Sequence, residues 1–293
     1  MNLIDTFKIS KKDIITIVGA GGKTSLMYSA SSLLRKDYKV LVTTTTHIYI
    51  PDKSIYDEII MLNDFPNENY HSILQNNKNG VYVIGNHIVN NLKIKGLTFD
   101  MLDEIIMLND FPNENYHSIL QNNKNGVYVI GNHTVNNSKI KGLTFEMLDK
   151  IIHYFDIVII EGDGSKEKSL KGWNDLEPVI YPKTTKTIGV VDISSIGLDI
   201  NEENIHRVDR FLDIINDYST NKVNIEHLEK LILNKNGLFK IYKGEKILFI
   251  NKVENINNKT NALNLIKNIK CKSSSYINRY IYGSIFTNEY IKG

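Results

Sequence analysis

Gly19-Ala20-Gly21-Gly22-Lys23-Thr24, with Ser25 directly behind, gathers three glycines, a lysine and two hydroxyls into one short stretch. Glycines let backbone N–H groups approach a ligand closely, and a helix that starts after them adds the partial positive charge of its N-terminus. The chemistry this suits is holding a phosphate. Lys23 would reach the terminal phosphates of a nucleotide, and the Thr24 hydroxyl would sit on Mg²⁺. The full phosphate-loop pattern also asks for a glycine where Ile17 stands, so this is a shortened version. A glycine-rich turn whose lysine merely meets solvent would carry the same residues.

Further candidates lie downstream. Glu161 and Asp163, in Glu161-Gly-Asp-Gly-Ser165, follow the apolar run Asp156 to Ile160. That is where nucleotide hydrolases place a carboxylate that binds Mg²⁺ or orients water. Mg²⁺ prefers oxygen ligands and keeps several waters, so one carboxylate with Thr24 would suffice. Glu161 is nearest the strand end; Asp163 could take the same role or orient the substrate. Lys23, Glu161 and Asp163 are therefore the candidate catalytic residues. Thr45 and Thr46 close the run Val42 to Thr46 and could bind phosphate or a metal-held water, although threonine favours strands in any case. His47 beside them is a weaker candidate. Lys166, Lys168 and Lys171 follow the acidic turn and could hold an anionic substrate, or could simply be solvated. Asn251-Lys252-Val253-Glu254 resembles the Asn-Lys-x-Asp base-reading motif of GTP-binding proteins. That resemblance implies a carboxylate on the guanine edge and a lysine over the purine. Glu254 is one methylene longer than the expected Asp, so both ATP and GTP stay open. Trp173 could be core or pocket wall.

These residues need elements to position them. Ile14 to Val18, Tyr38 to Thr43, Asp156 to Ile160, Thr187 to Asp192, Lys246 to Ile250 and Arg279 to Phe286 read as strands rich in β-branched and aromatic residues. Ser25 to Arg35, Asn224 to Leu233 and Thr260 to Ile269 read as helices. Alternating strands and helices predict an α/β fold: a mostly parallel, doubly wound sheet of the P-loop NTPase kind, in a single domain over residues 1–293. Ligands of such sheets bind at the carboxyl ends of the strands. The glycine loop, the threonines, the acidic turn and the Asn-Lys-x-Glu run all lie just after a strand.

Residues 57–102 recur at 103–148 with three changes, Ile88 to Thr134, Leu92 to Ser138 and Asp100 to Glu146. Two copies are too few for a solenoid, so a recent duplication, or an error in the sequence, is the plain reading. Each copy predicts a helical piece (Tyr70 to Leu74; Tyr116 to Leu120), a strand (Gly80 to Gly85; Gly126 to Gly131), then Lys-Ile-Lys-Gly-Leu-Thr and another helix. One sheet position holds one such strand, so either copy could take the slot while the other loops out. Both are expected to form local structure, with the second supplying the pocket-side contacts.

Composition narrows the class. The 293 residues, 42% hydrophobic and 23% charged, describe a globular chain. A net charge of +2 does not point to a nucleic acid or a membrane surface as the main partner. Cys271 is the single cysteine and cannot form an internal disulfide, which fits a reducing cytoplasm. No stretch reaches the roughly 18 apolar residues of a membrane span, and Met1 to Asp5 lacks the features of a signal peptide.

Gly19 to Thr24, Val42 to Thr46, Glu161 to Ser165, Lys171, Glu177-Pro178 and His206-Arg207 together resemble the YqeC family, regarded as selenium-dependent hydroxylase accessory proteins. The resemblance spans almost the whole chain apart from one copy of the repeat. Two positions depart from the family pattern: Gly162 stands where alanine is usual, and Lys166 where an arginine is. The resemblance implies a nucleotide-binding α/β protein of the phosphate-loop kind; the residues themselves point to ATP or GTP with Mg²⁺ and to the cytoplasm. It further implies a part in maturing molybdenum hydroxylases that carry labile selenium, with the hydroxylase or its cofactor as partner. His206 and Arg207 join Lys166 and Lys171 on the substrate side. Three activities stay open: a nucleoside triphosphatase, a small-molecule kinase or ligase acting on an anionic, molybdopterin-like substrate, and a non-catalytic nucleotide switch.

Overall fold

The computed structural model describes residues 2–49, 60–61, 83–85, 126–130, 133–135 and 139–293. In chain order the elements begin with α1 (Leu3–Phe7), β1 (Ile14–Gly19), α2 (Lys23–Leu34), β2 (Lys39–Thr44), β3 (His47–Tyr49), β4 (Ile60–Met61), β5 (Val83–Gly85), β6 (Gly126–Ile130), β7 (His133–Val135) and β8 (Lys139–Lys141). They continue with α3 (Phe145–Ile151), β9 (Ile157–Glu161), β10 (Leu170–Lys171), β11 (Lys186–Asp192), β12 (Ile205–His206) and α4 (Val208–Ile215). The last are α5 (Ile225–Leu233), β13 (Glu245–Asn251), α6 (Ile256–Lys272), β14 (Arg279–Ser284) and β15 (Glu289–Lys292). This is an α/β chain with a mostly parallel sheet. Among the described residues, no helix is long and apolar enough to cross a membrane. The chain divides into two compact units, Met1–Ser29 with Glu161–Gly293, and Ala30–Ile160.

In the first unit the strands lie in the order β15-β14-β13-β11-β1. The pairs β1 with β11, β11 with β13 and β13 with β14 are parallel, and β15 closes the edge antiparallel to β14. The register sets Val18 opposite Gly189, and Gly189 opposite Leu248. Each of β11 and β13 is buried at every position after its first, as parallel strands covered on both faces must be. The two-residue period of β13 shows what covers them. Leu248 and Ile250 enter a core with Leu228, Leu231 and Ile232 of α5 and Leu265 and Ile266 of α6. Phe249, on the opposite face, sets its ring 5.3 Å from that of Phe7 on α1 and 6.0 Å from that of Tyr290 on β15.

Caps fix where the helices start. Asn224 accepts from the His227 N–H and opens α5 with a capping box, as the sequence predicts from Asn224. The sequence predicts the last helix from Thr260, yet α6 begins at Ile256, because the Asn255 side chain caps it by accepting from the Asn258 N–H. That cap places the Asn251 to Glu254 run in a tight connection between β13 and α6.

In the second unit the strands run β9-β2-β6-β5-β4, and a separate antiparallel sheet has the order β3-β8-β7. Both copies, expected to form local structure, contribute a strand: β6 of the second copy pairs with β2, and β5 of the first copy pairs with β6. Val83 faces Val129 and Ile84 faces Ile130, so equivalent positions of the two copies stand opposite each other in parallel. The predicted helical pieces Tyr70 to Leu74 and Tyr116 to Leu120 lie outside the described residues.

Candidate functional site

The glycine loop occupies the gap between β1 and α2, and Lys23, Thr24 and Ser25 stand on the first turn of the helix, where backbone N–H groups have no intrahelical partner. Gly19, Gly21 and Gly22 have φ values of 106°, 75° and 132°. A side chain at each would also collide with a neighbour. A Cβ would come 2.2 Å from the Val190 carbonyl oxygen at Gly19, 2.4 Å from the Asp192 Cβ at Gly21, and 2.3 Å from the Asn251 Nδ2 at Gly22. The loop therefore lies pressed against the carboxyl ends of β11 and β13. Two hydrogen bonds hold it there: Ala20 N–H donates to Val190 O at 3.2 Å, and Asn251 Nδ2 donates to Gly21 O at 2.8 Å.

Lys23, only 3% exposed, folds back on this loop. Its Nζ donates to Gly19 O at 2.8 Å and lies 3.5 Å from Asp163 Oδ1 and 3.9 Å from Glu161 Oε1. Thr24 Oγ1 donates to Glu161 Oε2 at 2.7 Å. Burial raises the Glu161 pKa; Lys23 and Thr24 pull it down, and the charge of Asp163 adds to the rise. The two acidic residues are placed differently. Asp163 is fully buried, and its carboxylate accepts from Gly19 N–H at 3.1 and 3.2 Å and from Trp173 Nε1–H at 2.7 Å, with Lys171 Nζ at 3.2 Å. It ties the acidic turn to the start of the glycine loop. Glu161, at the end of β9, faces the helix turn.

The residues expected on a substrate side are largely turned to one another. Lys171 is buried; its Nζ donates to Gly164 O at 2.6 Å and to Glu177 Oε2 at 2.8 Å. Arg207 donates to Glu177 through both terminal guanidinium nitrogens, at 2.5 and 3.0 Å. Burial alone would raise the Glu177 pKa, but Arg207 and Lys171 hold it below its usual value. His206 is lowered to about 4 by partial burial first, then by Arg207, Lys171 and Lys166, with Glu177 opposing. Its imidazole is neutral at neutral pH. Lys166 is exposed, with its backbone in the left-handed region.

At the ends of β11 and β13, Lys252 Nζ reaches Asp192 Oδ2 at 2.5 Å, and Asp192 also accepts from Ser194 N–H and Oγ. Glu254 is exposed and accepts from Ser284 Oγ at 2.8 Å. Thr45 and Thr46 belong to the second unit. There Thr46 N–H donates to Thr44 Oγ1 at 2.9 Å, and Gly142 N–H donates to Thr46 O at 2.9 Å. Within the first unit, then, the structure brings together the glycine loop, Lys23, Thr24, Glu161, Asp163 and Asn251. The sequence reading passes over Asp192 and Ser284, gives Glu177 only as part of the family resemblance with no task of its own, and leaves Trp173 open between core and pocket wall. Asp192 and Ser284 are the last residues of buried strands, a position that marks Glu161 as well. Glu177 carries no local signal apart from the proline after it.

Chemically, the assembly offers backbone N–H groups, one ammonium, one hydroxyl and a carboxylate around a loop with no room for side chains. Among the described residues, no three His, Cys, Asp or Glu side chains converge as a ligand set. The model of the YqeC protein family matches residues 15–113 and 106–209. The two matches overlap inside the duplicated region, the first holding copy 57–102 whole and the second most of copy 103–148. The chain is also 24% identical over 262 residues to an Escherichia coli (strain K12) protein that bears the name uncharacterized protein YqeC, a match that covers 87% of this chain and 82% of that one. No solved structure matches.

Proposed function

The chain belongs to the YqeC family, and we propose that it is a Mg²⁺-dependent, nucleotide-binding accessory protein of the P-loop kind, a nucleoside triphosphatase that serves the maturation of selenium-dependent molybdenum hydroxylases. One observation carries the nucleotide reading. A left-handed glycine loop runs into Lys23 and Thr24 on the first turn of α2, with Thr24 Oγ1 2.7 Å from the Glu161 carboxylate. The N–H groups of that turn, which have no intrahelical partner, suit phosphate oxygens. Lys23 would exchange the Gly19 carbonyl for the terminal phosphates of ATP or GTP. Thr24 and Glu161 set hard oxygen donors side by side, a set that fits Mg²⁺. Bound there, the ion would neutralise charge on the phosphates. Asp163, spent on Gly19 and Trp173, positions the loop. Phosphoryl transfer asks mainly for positioning and charge stabilisation, which these residues supply. Turnover would drive delivery or modification of a cofactor in the client, as the family resemblance implies.

A kinase or ligase acting on a molybdopterin-like anion would need Lys166, Lys171, His206 and Arg207 to face that substrate. Lys171 and Arg207 are committed to Glu177, so this reading ranks second. A nucleotide-switched binding protein would use the same loop without turnover.

Trp173 is the single tryptophan and bonds Asp163, which lies 3.5 Å from Lys23, so its fluorescence should report nucleotide arrival. Titration with ATP and GTP should give a saturable, Mg²⁺-dependent change. It should also raise the melting temperature, by about 2.7 kcal/mol of stability at a hundred times Kd. Lys23→Ala should remove both effects and leave the protein folded. Normal binding by Lys23→Ala, or no response to either nucleotide, would overturn the assignment. Phosphate release under the same conditions separates a triphosphatase from a switch.

A further inference from the structure

Asp163 and Glu177 share the ammonium of Lys171, and they share it unevenly. Lys171 Nζ has three protons to donate. It stands 2.6 Å from Gly164 O, 2.8 Å from Glu177 Oε2 and 3.2 Å from Asp163 Oδ2. Arg207 adds its fork to Glu177 at 2.5 and 3.0 Å. Asp163 has its cations further off, Lys171 at 3.2 Å and Lys23 at 3.5 Å. The ammonium of Lys171 therefore leans towards Glu177, which leaves Asp163 with charge to spare for Lys23. A continuous line of ion pairs runs from Lys23 through Asp163, Lys171 and Glu177 to Arg207.

The backbone along this line is fixed. Lys171 stands opposite His206 in the two-residue ladder of β10 and β12. Gly172 N–H donates to His206 O at 2.8 Å, and a Cβ at Gly172 would come 2.3 Å from the Phe211 nitrogen of α4. Asp163 is pinned by the N–H groups of Gly19 and Trp173. What is left to vary is the place of the Lys171 ammonium between its two carboxylates. The side chains of Lys171 and Asp163 are both 0% exposed, where charges act on each other more strongly than in water. Lys23 has to leave Asp163 to meet a phosphate. It leaves more readily the more Lys171 serves Asp163. Removing the charge of Glu177 turns Lys171 towards Asp163 and releases Lys23. Removing Arg207 does the opposite: Glu177, left with Lys171, draws it away, and Asp163 tightens on Lys23.

We propose that Glu177 is a positioning residue of the phosphate site, which acts through Lys171 and Asp163 to set how firmly Lys23 is held back, with Arg207 moderating its pull. The proposal rests on the phosphate-loop reading above. It is tested by calorimetric titration of the parent, Glu177→Gln, Arg207→Gln and the double variant with ATP and with GTP, Mg²⁺ present. Glu177→Gln should tighten binding about threefold and Arg207→Gln should weaken it about threefold, the scale of coupling within one ion-pair network. In the Glu177→Gln background, Arg207→Gln should change binding by less than about 1.5-fold, because Arg207 acts only through Glu177. Additive effects in the double variant would mean that each charge acts on the nucleotide from a distance, and would overturn the proposal. Weaker binding by Glu177→Gln would overturn it too, since a residue that merely braces the loop gives that sign. A second readout needs no variant. Saturating nucleotide should move the ring resonances of His206, which stands opposite Lys171, and unmoved resonances would count against the relay even if Glu177→Gln did not fold. No binding of either nucleotide by the parent would overturn the phosphate-loop reading, and this proposal with it.

Discussion

At the scale of single residues, the acidic turn shows how neighbours decide what a charged side chain can do. Glu161 and Asp163 are two positions apart and equally available to a sequence argument. Asp163 nevertheless takes the Gly19 and Trp173 N–H groups and sits by Lys171, while Glu161 meets the Thr24 hydroxyl. A buried carboxylate with several donors is fixed in its position. His206 is governed by the same cluster. Its pKa, depressed to about 4 from an ordinary 6.5, means that the folded protein refuses a proton that the unfolded chain accepts between those values. Its contribution to stability is therefore present above about pH 6.5 and is lost as the pH falls towards 4, softened by the part of the ring that solvent reaches. Proton NMR should show the His206 ring titrating near pH 4, and His206→Gln should flatten the loss of melting temperature over that interval. A His206 midpoint near 6.5 would mean that partial burial, Arg207 and Lys171 do not act on the ring as described.

At the scale of elements, the strands were legible because β-branched apolar runs leave few alternatives, and β1, β11 and β13 fall within a residue or so of their predicted limits. Helix α4 is not foreseen: Arg207 and Asn216, both left-handed, bound it in place of a hydroxyl or carboxylate cap. The site divides in the same way. Lys23, Thr24 and Glu161 could be found because they end strands or start helices. The inward turn of Lys171 could not, because its partner Glu177 comes from a separate loop. The glycine loop gives a direct test of how tightly β11 and β13 support it. Gly21→Ala would hold an alanine at φ 75° with its Cβ 2.4 Å from that of Asp192. The left-handed backbone alone costs about 1–2 kcal/mol, and the clash adds to it. Gly164→Ala meets nothing within 4 Å and should change stability by no more than about 0.5 kcal/mol. Thermal melts of the two variants should therefore separate, with Gly21→Ala lower and also impaired in nucleotide binding. Equal melting would mean that the loop is not pressed against β11.

At the scale of the whole molecule, the duplication sits in the unit Ala30–Ile160, whereas the glycine loop, the acidic turn and the Asn251 to Glu254 run all belong to the unit Met1–Ser29 with Glu161–Gly293. The family match meets itself inside the repeat, each segment taking one copy. The second copy alone supplies β6, the strand that pairs with β2. The first copy adds β5, which repeats the residues of β6 and pairs with it position for position. Parallel pairing of equal sequences leaves little to distinguish a partner in the same chain from one in another molecule, the condition for register slips and strand exchange. Removing residues 57–102 should therefore yield a protein that folds, melts no lower than the parent, binds nucleotide within about twofold of it, a span of roughly 0.4 kcal/mol, and runs as fewer species in size-exclusion chromatography. If the shortened chain lost its cooperative melt, the first copy would be part of the sheet's support and the unit could not be built from a single copy. If it folded but no longer bound nucleotide, the site would depend on more than the residues of the first unit.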